Sequence, residues 1–274
     1  VLVPDGAELD GALSRTTHLA IGAHHDDLEL MAAHGVSECF RSSERWFSGV
    51  VVTDGAGSVR GGPYASLSRE ELVAVRRLEQ HKAAHIGEYS VMLQLAHSSQ
   101  RLKDTAALEV VSDLEQVLRA CSPEIVYTHN LADKHDTHVA VALCVVAACR
   151  RLPENLRPAR LIGCEVWRDL DWLCDSDKVV MPVDERENLH AALLGVFDSQ
   201  IASGKRYDLA AAGRRRANAT FFDAQGADRH DSLIWGMDLT PLLAGGSAEQ
   251  LVKAHIARFE SEVAARLARL SPKG

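Results

Sequence analysis

Short apolar runs that alternate with segments of helical period restrict the possible folds of this chain more than any other feature. Thr17–Ala23, Trp46–Thr53, Tyr89–Leu95, Glu124–Thr128 and Arg160–Trp167 read as strands. Leu28–Phe40, the residues between Ser68 and Ile86, Thr105–Ala120 and His138–Arg151 read as the helices between them. Ser68-Arg69-Glu70-Glu71 has the spacing of a capping box, and Gly87 is placed to end that helix. Alternation of this kind closes as a largely parallel sheet with helices on both faces, a Rossmann-like α/β architecture. From about Asp184 the pattern turns mainly helical, over Glu185–Ser203, Tyr207–Ala219 and Ala248–Leu270. One domain over 1–274 is therefore expected, with a core at 1–183 and a helical C-terminal subregion at 184–274. Between its last two helices, Phe221–Gly246 is irregular and holds Phe222, Leu233, Ile234 and Trp235. It is expected to be either a loop folded onto the domain or a lid beside a site.

A formal net charge of −8 argues against generic nucleic-acid binding, and Arg214-Arg215-Arg216 is too short to be a polybasic arm. No apolar stretch reaches bilayer-spanning length and no signal peptide opens the sequence, so no membrane partner and a cytoplasmic location are expected. Cys39, Cys121, Cys144, Cys149, Cys164 and Cys174 lie in apolar surroundings without C-x-x-C spacing, which fits reduced, buried thiols. Asn218-Ala219-Thr220 matches a glycosylation sequon by chance. The sequence is silent on oligomeric state.

Two imidazole- and carboxylate-rich clusters follow predicted strands. His24-His25-Asp26-Asp27 succeeds the first strand, and Thr128–His138, with His135 and His138 three apart, succeeds the fourth. In open α/β sheets ligands bind outside the strand carboxyl ends. Buried charges are costly unless paired or metal-bound, so clusters of His and Asp there point to a metal hydrolase. The plainer reading of the first cluster is that Asp26 or Asp27 caps the helix beginning near Leu28. Catalytic zinc takes two or three such ligands and keeps a position for water. His24, Asp27 and either His135 or His138 would satisfy that count, leaving Asp26 as a base. Magnesium held by Asp26 and Asp27 for phosphoryl chemistry is disfavoured by the imidazoles.

The clusters resemble the motifs of the PIG-L/LmbE-like family of metal-dependent N-acetylglucosamine deacetylases. Ala23–Glu29 is similar to the family's A-H-P-D-D-x-E, with His25 where proline is usual. His135-Asp136-Thr137-His138 is similar to its H-x-D-H, with Thr137 for Asp. Val51–Gly57 resembles its T-x-G-E-A-G loop, Arg76-x-x-Glu79 and Ala83–Gly87 its R-x-x-E…A-A-x-x-L-G helix, and Leu193–Gln200 a late helix ending in S-Q. The matches run from about residue 17 to 200, and both departures fall at positions that are not ligands in the family.

The resemblance implies zinc on His24, Asp27 and His138, with Asp26 as general base and His135 steadying the oxyanion. It also implies that Arg76 contacts the substrate, against the alternative of a salt bridge with Glu79 or a neighbouring carboxylate. Ser199-Gln200 is expected to be structural. The implied reaction is zinc-dependent removal of the N-acetyl group from a GlcNAc-containing small molecule. An Ala/Arg/Val-rich composition, the divergent His25 and the apolar Phe221–Trp235 stretch direct the expectation towards a glycopeptide-antibiotic pseudoaglycone, with Trp235 among the substrate-binding residues. The alternatives are a thiol-cofactor precursor, chitobiose, or a sugar-binding homologue without activity.

Overall fold

The computed structural model describes residues 1–104 and 108–272. Its strands are β1 (His18–Gly22), β2 (Phe47–Thr53), β3 (Met92–His97), β4 (Ile125–His129), β5 (Arg160–Cys164), β6 (Lys178–Pro182) and β7 (Leu233–Asp238). Its helices are α1 (Leu9–Ser14), α2 (Asp27–Met31), α3 (Ala33–Cys39), α4 (Arg69–Ile86), α5 (Ser99–Leu102), α6 (Leu108–Cys121), α7 (Asp136–Arg151), α8 (Glu187–Gly195), α9 (Asp198–Ile201), α10 (Tyr207–Thr220) and α11 (Ala248–Leu270). The strands form one seven-stranded sheet in the order β3-β2-β1-β4-β5-β7-β6. β1 to β5 pair in parallel, whereas β7 runs antiparallel to both β5 and β6.

The largely parallel α/β sheet follows from the strand pattern. Side chains alternate across a strand, so Leu19 and Ile21 of β1 join Val50, Val126 and Leu161 in the core on one face. Ala20 joins Val51, Tyr127 and Ile162 in the core on the other. The capping box is formed: Ser68 Oγ accepts from Glu71 N, and Glu71 accepts from Ser68 N.

Several expectations need correction. The helix expected over Leu28–Phe40 is two helices that break at Ala32 (φ −112°, ψ 22°), and the one expected over Glu185–Ser203 is likewise two, α8 and α9. The third strand begins at Met92 because Tyr89 turns inward to pack edge-on against Phe47, ring centroids 4.6 Å apart. The start of the expected helix Thr105–Ala120 lies outside the described residues. Phe221–Gly246 is not irregular throughout: Leu233–Asp238 at its centre is β7, which sits between β5 and β6 in the sheet. All six cysteines are free. Among the described residues no helix is long and apolar enough to cross a membrane.

The strand order reverses between β1 and β4, the neighbouring strands that carry the two polar clusters. This switch point opens a crevice at the carboxyl edge of the sheet.

Candidate functional site

The turn after β1 is built by bonds to its neighbours. Ala23 N donates to His129 Nε2 (2.9 Å), and Thr53 N donates to Ala23 O (2.9 Å), tying the ends of β1, β2 and β4 together. His24 N then donates back to Asp27 Oδ2 at 2.6 Å. Neither acid caps α2: Asp26 occupies the N-cap position in the left-handed region (φ 86°) without a side-chain cap bond. Such a conformation costs a non-glycine residue on the order of 1–2 kcal/mol and has to be held by its surroundings. Arg76, from α4, holds it. Its guanidinium donates to Asp26 Oδ2 at 3.0 Å and also to His25 O and Ser58 Oγ.

His25, the departure from the family pattern, fills a space prepared by Gly55, where φ is +71° and a Cβ would stand 2.8 Å from the imidazole. Its Nε2 lies 3.1 Å from Gln94 Oε1. Burial, reinforced by the Arg76 charge, lowers its pKa to about 3, so His25 is neutral and donates to the amide oxygen.

The loop after β4 is equally constrained. Asn130 N and Nδ2 both donate to Cys164 O (3.0 Å each), and Asn130 Oδ1 accepts from Ala132 N. Asp133 Oδ1 accepts from His135 N (2.9 Å) and its Oδ2 from Trp167 N (3.1 Å), with His138 Nδ1 3.5 Å away. His135 is the extended N-cap of α7 (φ −99°, ψ 111°), and His138 lies in the first turn, fully buried.

These two loops bring three donor atoms together. His24 Nδ1 and His138 Nε2 are 3.1 Å apart, His24 Nδ1 and Asp27 Oδ2 3.3 Å, and His138 Nε2 and Asp27 Oδ2 3.5 Å. A tetrahedral zinc ion with bonds of about 2.0–2.1 Å has ligand–ligand edges of about 3.3 Å. The triangle is thus the right size for one face of such a site, and its two nitrogens and one carboxylate oxygen are zinc's preferred donors. His129 is a second nearby imidazole, 3.4 Å from Asp27 Oδ2 and stacked on His138 with centroids 3.8 Å apart. Its Nε2 accepts the Ala23 N–H, as Asp27 Oδ2 accepts that of His24, and the residues that could hold an ion group as His24, His135 and His138 and as Asp27, His129 and His138. His135 stands beside them, its ring 5.0 Å from that of His24 and 4.5 Å from that of His138.

The two adjacent acids have opposite electrostatics. Burial and the neighbouring Asp27 charge raise the Asp26 pKa well above the carboxylate range, against the lowering effect of Arg76. Burial would raise Asp27 too, but His138 and His129 outweigh it and hold its pKa well below the usual value. Burial lowers His138 to about 4 and, with the His24 charge, also lowers His135. The result is an ionised Asp27 beside a neutral His138, a donor pair suited to a divalent cation.

Asp26, Asp27, His24 and His135 line a cavity of about 350 Å³, walled further by Leu30, Trp167, Tyr207 and Lys205. Sequence reasoning named five of the clustered residues and missed others. His129 and Asp133 lay inside the second cluster without a distinguishing signal. Trp167, whose ring stacks 6.3 Å from His135, stood at the end of the predicted fifth strand, where the strand-end rule applied to the other clusters would have found it. Arg76 lines the cavity, but it is 2% exposed and its ion-pair partner is Asp26 rather than Glu79. Glu79 instead accepts from Ser199 N (2.7 Å) and Ser199 Oγ (2.6 Å), so the late S-Q pair anchors α9 to α4. Trp235 is not at the cavity: it is 1% exposed on β7, against Phe222, because β7 is an interior strand.

The chain is similar to known proteins in sequence and in fold. The sequence model of the PIG-L family, described as GlcNAc-PI de-N-acetylase, matches residues 19–149. The uncharacterized deacetylase YaiS of Escherichia coli strain K12 is 31% identical over 156 residues, 56% of this chain and 79% of that protein. Three solved structures share the fold. The N,N'-diacetylchitobiose deacetylase of Pyrococcus horikoshii has a TM-score of 0.59 at 18% identity, covering 80% of this chain and 83% of that one. The 4-carboxy-2-hydroxymuconate hydratase of Pseudomonas putida KT2440 also has a TM-score of 0.59, at 16% identity over 82% of this chain and 96% of that one. A deacetylase from the biosynthesis pathway of teicoplanin has a TM-score of 0.57 at 17% identity, covering 81% of this chain and 97% of that one. Because one of the three is a hydratase, the fold alone does not name a reaction.

Proposed function

The chain belongs to the PIG-L family, and we propose that within it this protein is a zinc-dependent hydrolase that removes the N-acetyl group from a GlcNAc moiety of a small molecule. The observation that carries this reading is the triangle of His24 Nδ1, Asp27 Oδ2 and His138 Nε2, with edges of 3.1–3.5 Å, beside the buried Asp26. A zinc ion on those three residues supplies the Lewis acidity that makes water a nucleophile near neutral pH.

The rest of the chemistry belongs to the chain. Asp26, oriented by Arg76, takes a proton from the attacking water as its oxygen adds to the acetyl carbonyl. A raised pKa suits this role, since the carboxyl can then return the proton to the departing nitrogen. His135, in its neutral form, donates an N–H to the oxygen on which negative charge develops. Acetate and a free amino sugar leave. Asp133 acts on the reaction through others: it fixes the His135 backbone and faces the Nδ1 of His138, the arrangement that orients metal-bound imidazoles elsewhere.

For the group attached to the sugar, a glycopeptide pseudoaglycone is the candidate we favour, supported by the fold likeness to the teicoplanin-pathway deacetylase. Residues 221–246 lend it no support. A thiol-cofactor precursor and chitobiose are the other arms of the same test.

That test is metal content together with acetate release from a panel of N-acetylglucosaminides including a glycopeptide pseudoaglycone and chitobiose. Asp26→Asn is expected to keep its zinc and lose turnover, and His138→Ala to lose zinc. Hydration of an unsaturated carboxylic acid without acetate release would assign the hydratase chemistry instead. Full zinc occupancy in His138→Ala would reject the proposed ligand set.

A further inference from the structure

A second chamber of about 220 Å³ adjoins the reaction cavity and shares four of its walls: Leu30, Val166, Trp167 and Tyr207. Beyond that common wall it runs between Ala210 and Ala211 of α10 and Ile234 of β7. The charged groups around it are already engaged. Arg215 Nη2 donates to Glu29 O (2.9 Å) and Leu30 O (3.1 Å), and Arg214 donates to Val166 O. Glu165 accepts from Asn218 Nδ2 (2.6 Å), Trp235 N (3.2 Å) and Leu170 N (3.3 Å). What the chamber offers a ligand is therefore hydrocarbon surface.

Its position relative to the reacting atoms decides which ligand. Leu30 follows Asp27 by three residues, on the same side of α2. Trp167 stacks on His135 at 6.3 Å. A carbonyl placed between Asp27 and His135 has two substituents to accommodate. One side of the cavity is polar, past Ser58, Ser99 and Lys103, and fits the amino sugar. The other is the Leu30–Trp167–Tyr207 wall, and it leads into the second chamber.

We propose that the acyl chain of the substrate runs into this chamber, so that the protein hydrolyses N-acyl amino sugars with chains longer than acetyl. The inference rests on the amidohydrolase reading above. Water adds across the amide, the carbonyl–nitrogen bond breaks, and a fatty acid of unchanged length leaves while the amine stays on the sugar. At roughly 30 Å³ per carbon, about the volume of a water molecule, the chamber takes a chain of about six or seven carbons. Its far end reaches the surface at the exposed Ala210, so longer chains can continue outwards. Each buried methylene contributes about 0.8 kcal/mol, roughly fourfold in kcat/KM.

The experiment compares N-acetyl-, N-butanoyl-, N-hexanoyl- and N-octanoylglucosamine with the zinc-loaded protein, measuring amine release and, separately, binding by calorimetry. From acetyl to hexanoyl, four methylenes at about fourfold each, kcat/KM is expected to rise by about two hundredfold. Ala211→Phe, which fills the chamber, should reduce the hexanoyl-to-acetyl ratio to about one or below. Ala210→Trp, at an exposed helix position, provides a second obstruction should the first variant fold poorly. A kcat/KM that falls steadily with chain length, or a ratio untouched by both variants, would overturn the chamber's role and leave deacetylation standing. Absence of turnover on every sugar would remove the amidohydrolase reading. Binding still decides the chamber's role in that case: tighter N-octanoyl than N-acetyl binding, lost in the variants, upholds it, and equal binding rejects it.

Discussion

Replacing Arg76 by Met tests the electrostatic design of the site most directly. The guanidinium is buried, lies 3.0 Å from Asp26 Oδ2, and also holds the backbone of the turn through His25 O. With Asp26 ionised, as its role as base requires, charges at that distance attract by about 5 kcal/mol at an effective dielectric of about 20. Removing one member of a buried pair typically costs about 3–5 kcal/mol, because the other is left uncompensated. Asp26 also stands at φ 86°, and without Arg76 little opposes relaxation of that conformation. The expected outcome is a loss of about 3–5 kcal/mol in unfolding free energy by urea titration. A drop in kcat of about a hundredfold or more should accompany it with KM little changed, since the base is displaced and the substrate site is not. Arg76→Lys, which restores a charge without the fork geometry, should recover part of the stability and less of the rate. A variant of unchanged stability whose KM rises at constant kcat would refute this reasoning and make Arg76 a substrate contact.

Three further outcomes are expected. Asp133→Asn should weaken zinc binding by about 10–100-fold in a calorimetric titration, by removing the charge facing His138 Nδ1; wild-type affinity would deny Asp133 that role. Trp235→Ala should cost about 3–5 kcal/mol of stability while kcat/KM per folded molecule stays unchanged, because the side chain fills the core and not the cavity; a selective rise in KM would return Trp235 to the site. Burial, together with the Arg215 charge, lowers the His190 pKa to about 3, so between that value and 6.5 the unfolded chain binds the extra proton and stability falls as pH falls through 6.5. His190→Gln should therefore gain on wild type by up to about 2.7 kcal/mol between pH 6.5 and 4.5, and parallel urea midpoints across that window would show that His190 is not held neutral.

The hydrophobic pattern was enough to place β1, β2 and β4, because each is an apolar run that the sheet buries, whereas α11 was placed by its helical period although its one buried residue is His255. β7 was missed although its signal was present: Leu233–Asp238 is a short apolar run, but the polar and glycine-containing residues on either side made the whole stretch read as a loop. Its burial comes from pairing with β5 and β6, distant in the chain, and local composition does not encode pairing.

At the site the division is sharper. The chain by itself determined that imidazoles and carboxylates stand at two strand ends, because strand and cluster are contiguous in the sequence. It left His135 and His138 equivalent, three residues apart. The structure places them differently, His135 as an extended N-cap and His138 in the first helical turn with an imidazole nitrogen 3.5 Å from Asp27, yet both stand with His24 in a group that could hold a metal. The pairing of Arg76 with Asp26, the bond from Ala23 to His129 and the burial of Trp235 were decided by packing between segments far apart in sequence. Spacing along a chain sets which side chains share a face of one element. Which faces meet depends on how the sheet orders its strands, and here that order joins β1 to β4 and makes the two clusters one site.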